Sequence, residues 1–263
     1  MVKVIFANIL QGMIHCGYND KKENVFAGFH PEKYIDYFKK QNPDILCLAE
    51  CLFDDKKGNS TFVEALCREC DLPYYKSLAT EKAFLGESQF YGLTICTKFP
   101  FVSYQIEKLA NPHLETIRPN GDHWILHDKY IQIAVLDIEN VNLNLVNTHM
   151  FPFQHFGKHF WDDEFVSYRR QWANILVPKH KEKTIISGDF NTVGIGINEA
   201  FPELEIGSKM YSLVNYDGKK YQPKYPYETQ IEYLLASQDI HLVLAKVEMI
   251  YSDHPFLIAD VEL

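Results

Sequence analysis

Strand-sized apolar runs, separated by polar punctuation, recur along the whole chain. Val2–Ala7 and Ile45–Ala49 are almost purely apolar and predict strands buried on both faces. Tyr74–Leu78, Tyr91–Thr97 and Val102–Ile106 have the aromatic and β-branched composition of strands. Tyr130–Ile138 and Val141–Asn147 are separated only by Glu139-Asn140, which predicts a tight hairpin. Later strands are expected at Lys183–Ser187, Tyr233–Ala236, Leu242–Met249 and Phe256–Val261. Helical spacing appears in three places. Pro31–Lys40 brings Tyr34, Ile35 and Phe38 to one face, and Thr61–Cys70 does so with Phe62, Ala65 and Leu66. Asp162–Val177 carries Phe165, Tyr168, Trp172 and Leu176 as a stripe. Many strands with a few interspersed helices predict a mixed α/β protein, two packed sheets with helices outside fitting the pattern. No repeat, low-complexity tract or linker interrupts it, so 1–263 reads as one domain.

The polar residues at the strand ends are not a random surface sample. Val2–Ala7 runs into Asn8, and Ile45–Ala49 into Glu50. Leu143–Val146 is followed by Asn147-Thr148-His149, Thr184–Ser187 by Gly188-Asp189-Phe190-Asn191, and Val247–Tyr251 by Ser252-Asp253-His254. Any single strand end of this kind is ordinary, because polar residues and glycine terminate strands. Five ends bearing Asn, Glu, His and Asp, with Lys absent, form the ligand and proton-transfer inventory of a hydrolytic site. Carboxylates gathered in one cleft repel one another and drift towards the neutral acid unless a cation joins them. Oxygen donors from carboxylates and amides suit a hard ion, Mg2+ or Mn2+, better than zinc. No glycine-rich nucleotide loop and no nucleophile elbow is present, which leaves metal-assisted attack by water as the expected chemistry.

Composition narrows the setting. Hydrophobic residues make up 46% and charged residues 23% of the 263, as in a globular domain with a sizeable core. The net charge of -9, with 22 Lys and four Arg in no dense cluster, argues against a basic nucleic-acid-binding face. No apolar run approaches a membrane span and the N-terminus lacks a signal-peptide pattern, so a cytoplasmic location is expected. Cys47, Cys51, Cys67 and Cys70 have a zinc-like spacing, but they fall in an apolar strand and on a helix, and read as buried thiols.

The order of these motifs resembles the endonuclease/exonuclease/phosphatase superfamily of DNase I-like metal-dependent phosphoesterases. The resemblance spans Asn8 to His254 through Phe6-Ala7-Asn8, Pro43 to Glu50, Asn147-Thr148-His149, Gly188-Asp189-Phe190-Asn191 and Ser252-Asp253-His254. It implies a four-layer α/β sandwich, two mixed sheets face to face with helices outside. It also implies roles: Asn8 and Glu50 as metal ligands, Asp189 orienting or deprotonating water, and Asn191 and His149 contacting the phosphate. Asp253 would support the metal or the leaving group, and His254 would stabilise charge or transfer a proton. The family's Arg-Ile-Asp reads Gln230-Ile231-Glu232 here. Glu232 is expected to pair with His254 across one extra methylene, and a cation is lost with the arginine.

Substrate choice is expected to lie in loops. Met150–Trp161, rich in Phe, follows His149 directly and is expected to lie beside the cleft, where its aromatics either meet a substrate or pack locally. His155 and His159, four apart, are not expected to bind metal. The favoured partner is a small or lipid-like phosphate ester. The alternatives are a nuclease acting on DNA or RNA, and a non-catalytic binding module on the same fold.

Overall fold

A computed structural model describes residues 1–20, 24–83, 89–118, 121–177, 182–206, 209–222 and 224–263. Sixteen strands are described. The first eight are β1 (Val2–Asn8), β2 (Met13–Tyr18), β3 (Asn24–Phe29), β4 (Ile45–Phe53), β5 (Tyr74–Lys82), β6 (Phe90–Thr97), β7 (Phe101–Lys108) and β8 (Glu115–Ile117). Then follow β9 (His123–Ile125), β10 (Tyr130–Ile138), β11 (Val141–His149), β12 (Thr184–Asp189), β13 (Tyr211–Ser212), β14 (Glu232–Ala236), β15 (His241–Glu248) and β16 (Phe256–Glu262). The principal helices are α1 (Pro31–Gln41), α2 (Thr61–Glu69) and α3 (Val166–Leu176), with the short α4 (Ile197–Ala200) and α5 (Pro202–Ile206) packed beside α3.

Two six-stranded sheets carry the molecule. Their orders are β15-β16-β1-β4-β6-β5 and β13-β14-β12-β11-β10-β7. Each holds one parallel pair, β1/β4 in the first and β11/β12 in the second, and its other pairs are antiparallel. The period of two explains the layering. In β1 the side chains of Val4 and Phe6 enter the core between the sheets, and those of Ile5 and Ala7 face α1 and α2. In β10, Ala134, Leu136 and Ile138 face the first sheet, whereas Ile131 turns to the opposite side with Trp172 of α3. Helices therefore cover both outer faces, and the four-layer α/β sandwich expected from the sequence is the observed fold.

A polar seam crosses the inter-sheet core. Asn147 of the second sheet donates through Nδ2 to the carbonyls of Leu48 (3.1 Å) and Thr94 (3.3 Å) in the first sheet, and to Gln132 Oε1 (3.1 Å). Ser187 Oγ donates to the Val146 carbonyl (3.1 Å) and to Asn147 Oδ1 (3.4 Å). Asn147, read from the sequence as a polar strand end, is instead a fully buried tie between the layers.

Several boundaries differ from the sequence reading for physical reasons. The strand expected to stop at Ala49 continues to Phe53 through a bulge between Leu48 and Cys51. The strand from Tyr74 likewise continues to Lys82 through a bulge at Ala79/Glu81. Gly92 is the partner strand's residue at both irregularities, and a Cβ there would lie 2.0 Å from the Leu78 carbonyl oxygen. The stretch Asp162–Val177 is a 3-10 turn over Asp163–Phe165 followed by α3. Ser252-Asp253-His254 lies in the loop before β16, because β15 ends at Glu248. The hairpins β2/β3 and β8/β9, and β13, are too short or too irregular to have shown a period. The Glu139-Asn140 hairpin forms as expected, both residues in the left-handed region at φ 52° and 70°.

The aromatic loop after His149 is chiefly packing. Phe151, Phe153, Phe156 and Phe160 are buried with Trp172 and Phe165, and Phe153 stacks on Phe165 at 4.4 Å between centroids. Only Pro152 and His155 of this loop face the cleft described below, and the exposed Trp161 stacks on His159 instead. The six cysteines are free, and all but Cys16 are buried, as small hydrophobes would be.

Candidate active site

Both parallel strand pairs end at the same place. β1 delivers Asn8, β4 delivers Glu50, and His149 and Asp189 are register partners at the ends of β11 and β12. Glu232 opens β14 opposite Asp189. The register thus puts three ionisable side chains of one sheet side by side, facing two site residues of the other.

Glu50 reaches the site because of the bulge. In a regular β4 it would share the face of Leu46 and Leu48, which point towards the helices. After the bulge that face is taken by Cys51 and Phe53, a parity shift of one. Glu50 absorbs the change at φ 49°, a left-handed backbone for a residue with a long side chain. Asn191 is likewise left-handed, at φ 52°, which asparagine tolerates better than most residues.

Asp189 is the hub. Its Oδ2 accepts from Asn8 Nδ2 (3.1 Å) and lies 3.7 Å from His149 Nε2 and 3.5 Å from His254 Nδ1. Its Oδ1 accepts from the Asn191 backbone N–H (3.1 Å). Asn8 Nδ2 also donates to Glu50 Oε1 (3.3 Å), while its Oδ1 accepts from the Leu10 N–H (3.2 Å). The amide nitrogen of Asn8 therefore bridges the carboxylates of the two sheets, and its oxygen is turned to the backbone. Asn191 Nδ2 donates to the Met150 carbonyl (3.1 Å), and Gln154 Nε2 donates to Asn191 Oδ1 (3.2 Å). Asp253 Oδ1 lies 3.8 Å from His254 Nε2.

The expected pairing of Glu232 with His254 is present, through Oε1 and Nδ1. Two tyrosines that the sequence reading missed hold the other carboxylate oxygen of Glu232. Tyr216 OH donates to Glu232 Oε2, and Tyr225 OH lies 3.3 Å from the same oxygen. Tyr216 OH also accepts from the Ile231 and Glu232 backbone N–H groups (3.3 and 3.4 Å). Gln230 braces the strand by donating to the Val214 and Glu232 carbonyls.

Electrostatics follow from burial and crowding. Burial pushes Asp189 up to about 7; the His254 charge pulls it down while Glu232 and Glu50 push it further up. Burial also raises Glu50, the His254 charge opposing it. For His254 burial works against the proton, but Asp253, Asp189 and Glu232 together win and hold it well above the usual imidazole range. Burial, with Lys129 and His254 nearby, keeps His149 well below that range, so its ring is neutral. Lys129 is a third residue missed from the sequence. It is 6% exposed, lines the cleft, and interacts favourably with Glu50 and Asp189, against the burial that depresses its pKa.

One ligand atom each from Asp189, Glu232 and His254 lies within 4.8 Å of the other two. Their valences are largely spent on one another and on the tyrosines. Glu50 Oε2, by contrast, is buried without a hydrogen-bond partner among the described residues. A buried, unpartnered carboxylate oxygen beside Asp189 and Asp253 fits a hard divalent cation. Glu50 and the neighbouring carboxylates would hold it.

These groups open into a cleft of ≈ 720 Å³, whose lining includes Tyr18 and Phe26 of β2/β3 and Arg118 and Trp124 at β8/β9. No helix among the described residues is long and apolar enough to cross a membrane.

No protein-family model matches this chain, and no curated protein matches it in sequence. Solved structures do match. An endonuclease/exonuclease/phosphatase from Beutenbergia cavernae aligns over 100% of this chain and 71% of its own length, at 16% identity and a TM-score of 0.71. The human Nocturnin catalytic domain with bound sulfate aligns over 99% of this chain and 93% of its own, at 17% identity and a TM-score of 0.61. A mannosyl-6-phosphatase from Bacteroides thetaiotaomicron aligns over 100% of both chains, at 12% identity and a TM-score of 0.59. The chain thus has the DNase I-like sandwich of the endonuclease/exonuclease/phosphatase structures, the fold that its motif order implied.

Proposed function

We propose that this chain is a metal-dependent phosphoesterase that hydrolyses a small phosphate ester by attack of water. The observation that carries the reading is the convergence of Glu50, His149, Asp189 and His254 from both sheets on one cleft, with Glu50 Oε2 left for a cation. The likeness of the whole chain to a mannosyl-6-phosphatase supports a phosphate ester as the substrate type. A cleft of ≈ 720 Å³ is in the size range of small-molecule sites.

Mg2+ or Mn2+ held by Glu50 and its neighbours would supply Lewis-acid neutralisation of a non-bridging phosphate oxygen. Asp189, raised towards neutrality and tied by Asn8 and Asn191, orients the water and takes its proton. Asn191 and His149, which line the cleft, would contact the phosphate oxygens. As the bond from phosphorus to the leaving oxygen breaks, His254, protonated and aligned by Glu232, gives that oxygen its proton. Asp253 supports the cation or the leaving group.

The test is phosphate release from p-nitrophenyl phosphate and bis-p-nitrophenyl phosphate, with Mg2+, with Mn2+ and with a chelator, beside His254→Ala. Turnover that needs the metal and falls by about 10²–10⁴ in the variant, the usual worth of a general acid, is expected. Metal-independent turnover, or a variant as active as the parent, would sink the reading. A nicking assay on plasmid DNA under the same metals separates a nuclease from a small-molecule hydrolase.

A further inference from the structure

The cleft is much larger than the reaction requires. A phosphoryl group with its oxygens takes on the order of 100 Å³ at the ~30 Å³ share of a water, against ≈ 720 Å³ available. The charge along its lining is divided. The acidic residues that line it are Glu50, Asp189 and Asp253, all at the reaction end. The lining also carries Arg118, Lys82, Lys129 and His127, of which His127 pairs with Glu81 at 3.1 Å. In a chain of net charge -9, Arg118 and Lys82 bring positive charge into the cleft beside Lys129, which interacts with Glu50 and Asp189.

Arg118 is held in place. Its guanidinium lies 3.6 Å from the centroid of Trp124, the indole stacking beneath it. Trp124 in turn rests on His155 (5.2 Å) and Phe156 (5.1 Å), and Phe156 belongs to the buried cluster behind the second sheet. Burial and the Arg118 charge push His155 down to about 4, so that side chain adds no charge and serves as a neutral prop. A planar cation stacked on an aromatic face keeps its N–H edges for an anion and loses little freedom on binding it.

We infer that the Arg118–Trp124 wall is a second anion subsite, and that the preferred substrate is a small molecule with a further phosphoryl group distal to the one cleaved. The subsite rests on the phosphoesterase reading only for the identity of the reacting end. Arg118 is its main anchor, and Lys82 adds charge at the rim.

The experiment measures binding and turnover separately. Titration calorimetry compares fructose 1,6-bisphosphate with fructose 6-phosphate, and adenosine 3′,5′-bisphosphate with adenosine 5′-monophosphate, on the parent, Arg118→Ala and Arg118→Lys. Phosphate release is followed on the same compounds with Mg2+. At least one bisphosphate is expected to bind tenfold or more tightly than its monophosphate. Arg118→Ala should remove most of that margin, and Arg118→Lys should restore only part of it. Bisphosphate binding that depends on Arg118 without any turnover would uphold the subsite and sink the phosphoesterase reading. Turnover without a bisphosphate margin would do the reverse. A short oligonucleotide that displaces the bisphosphate and binds more tightly would also overturn the proposal, in favour of a nucleic-acid groove.

Discussion

The two ends of the cleft are built by opposite means. At the reaction end, strand register and buried hydrogen bonds fix the side chains; Asp189 alone meets Asn8, Asn191, His149 and His254. The far wall is a two-stranded hairpin, β8/β9, whose Ile117 and Ile125 are exposed and whose arginine is steadied by one indole. Chemistry here is encoded in strands, and preference in an appended turn. The reaction end is expensive to alter because each group satisfies several others. The wall is cheap to alter because little packs upon it.

The sharpest way to break this contrast is Asp189→Asn. An amide cannot take a proton from water, so kcat should fall by about 10²–10⁴ on every ester tested. A loss confined to one substrate, measured as kcat across a panel, would show that the reaction end also selects. Tyr216→Phe comes next. It removes a hydroxyl that holds Glu232, which in turn aligns His254. Hydrogen bonds to charged groups are worth about 1.5–3 kcal/mol, so a fall in kcat of roughly tenfold or more with KM nearly constant is expected. A change in melting temperature with normal kcat would reduce the tyrosines to packing.

The smallest effect concerns pH. Asp189, raised to about 7, and His254, raised well above 6.5, both bind protons more tightly folded than unfolded. Each favours the folded state less as pH rises through its window. Below 6.5 the depressed His149 and His155 oppose this, since they gain stability with rising pH. Above 6.5 that opposition ends. The metal-free protein should therefore lose a few degrees of melting temperature between pH 6.5 and 8, about 1 kcal/mol being worth ~2–4 °C at this size. Mn2+ should shrink the loss by removing the Asp189 part, leaving that of His254. Melts that are flat with pH in metal-free buffer would remove the basis for this reading.

Much of the reaction end was legible in the sequence because strand ends leave a one-dimensional trace. Asn8, His149 and Asp189 each close an apolar run, and the run's direction carries them to the same place. Glu50 was legible by type but not by geometry, since a bulge shows no signature in apolar alternation. Glu232 was found through the resemblance, whereas its tyrosines were hidden. Tyr216 and Tyr225 lie among turns where no period marks which hydroxyl turns inward. Lys129 was equally silent, one of 22 lysines until the fold buried it. The far wall left almost no trace. Its one arginine and one tryptophan sit six residues apart, and only the β8/β9 turn stacks them.

The Asn147 tie across the core has a mechanical meaning. Glu50 and Asp189 belong to different sheets, so the gap between them is a thickness, set by whatever spaces the two layers. Asn147 acts as a shim of fixed gauge, bolted to Leu48 and Thr94 on the far side. Since a misplacement of about 1 Å can cost a hundredfold in rate, the active site works as a caliper on the core. A methyl group added between the layers should therefore cost rate as well as the few degrees of melting temperature that overpacking costs.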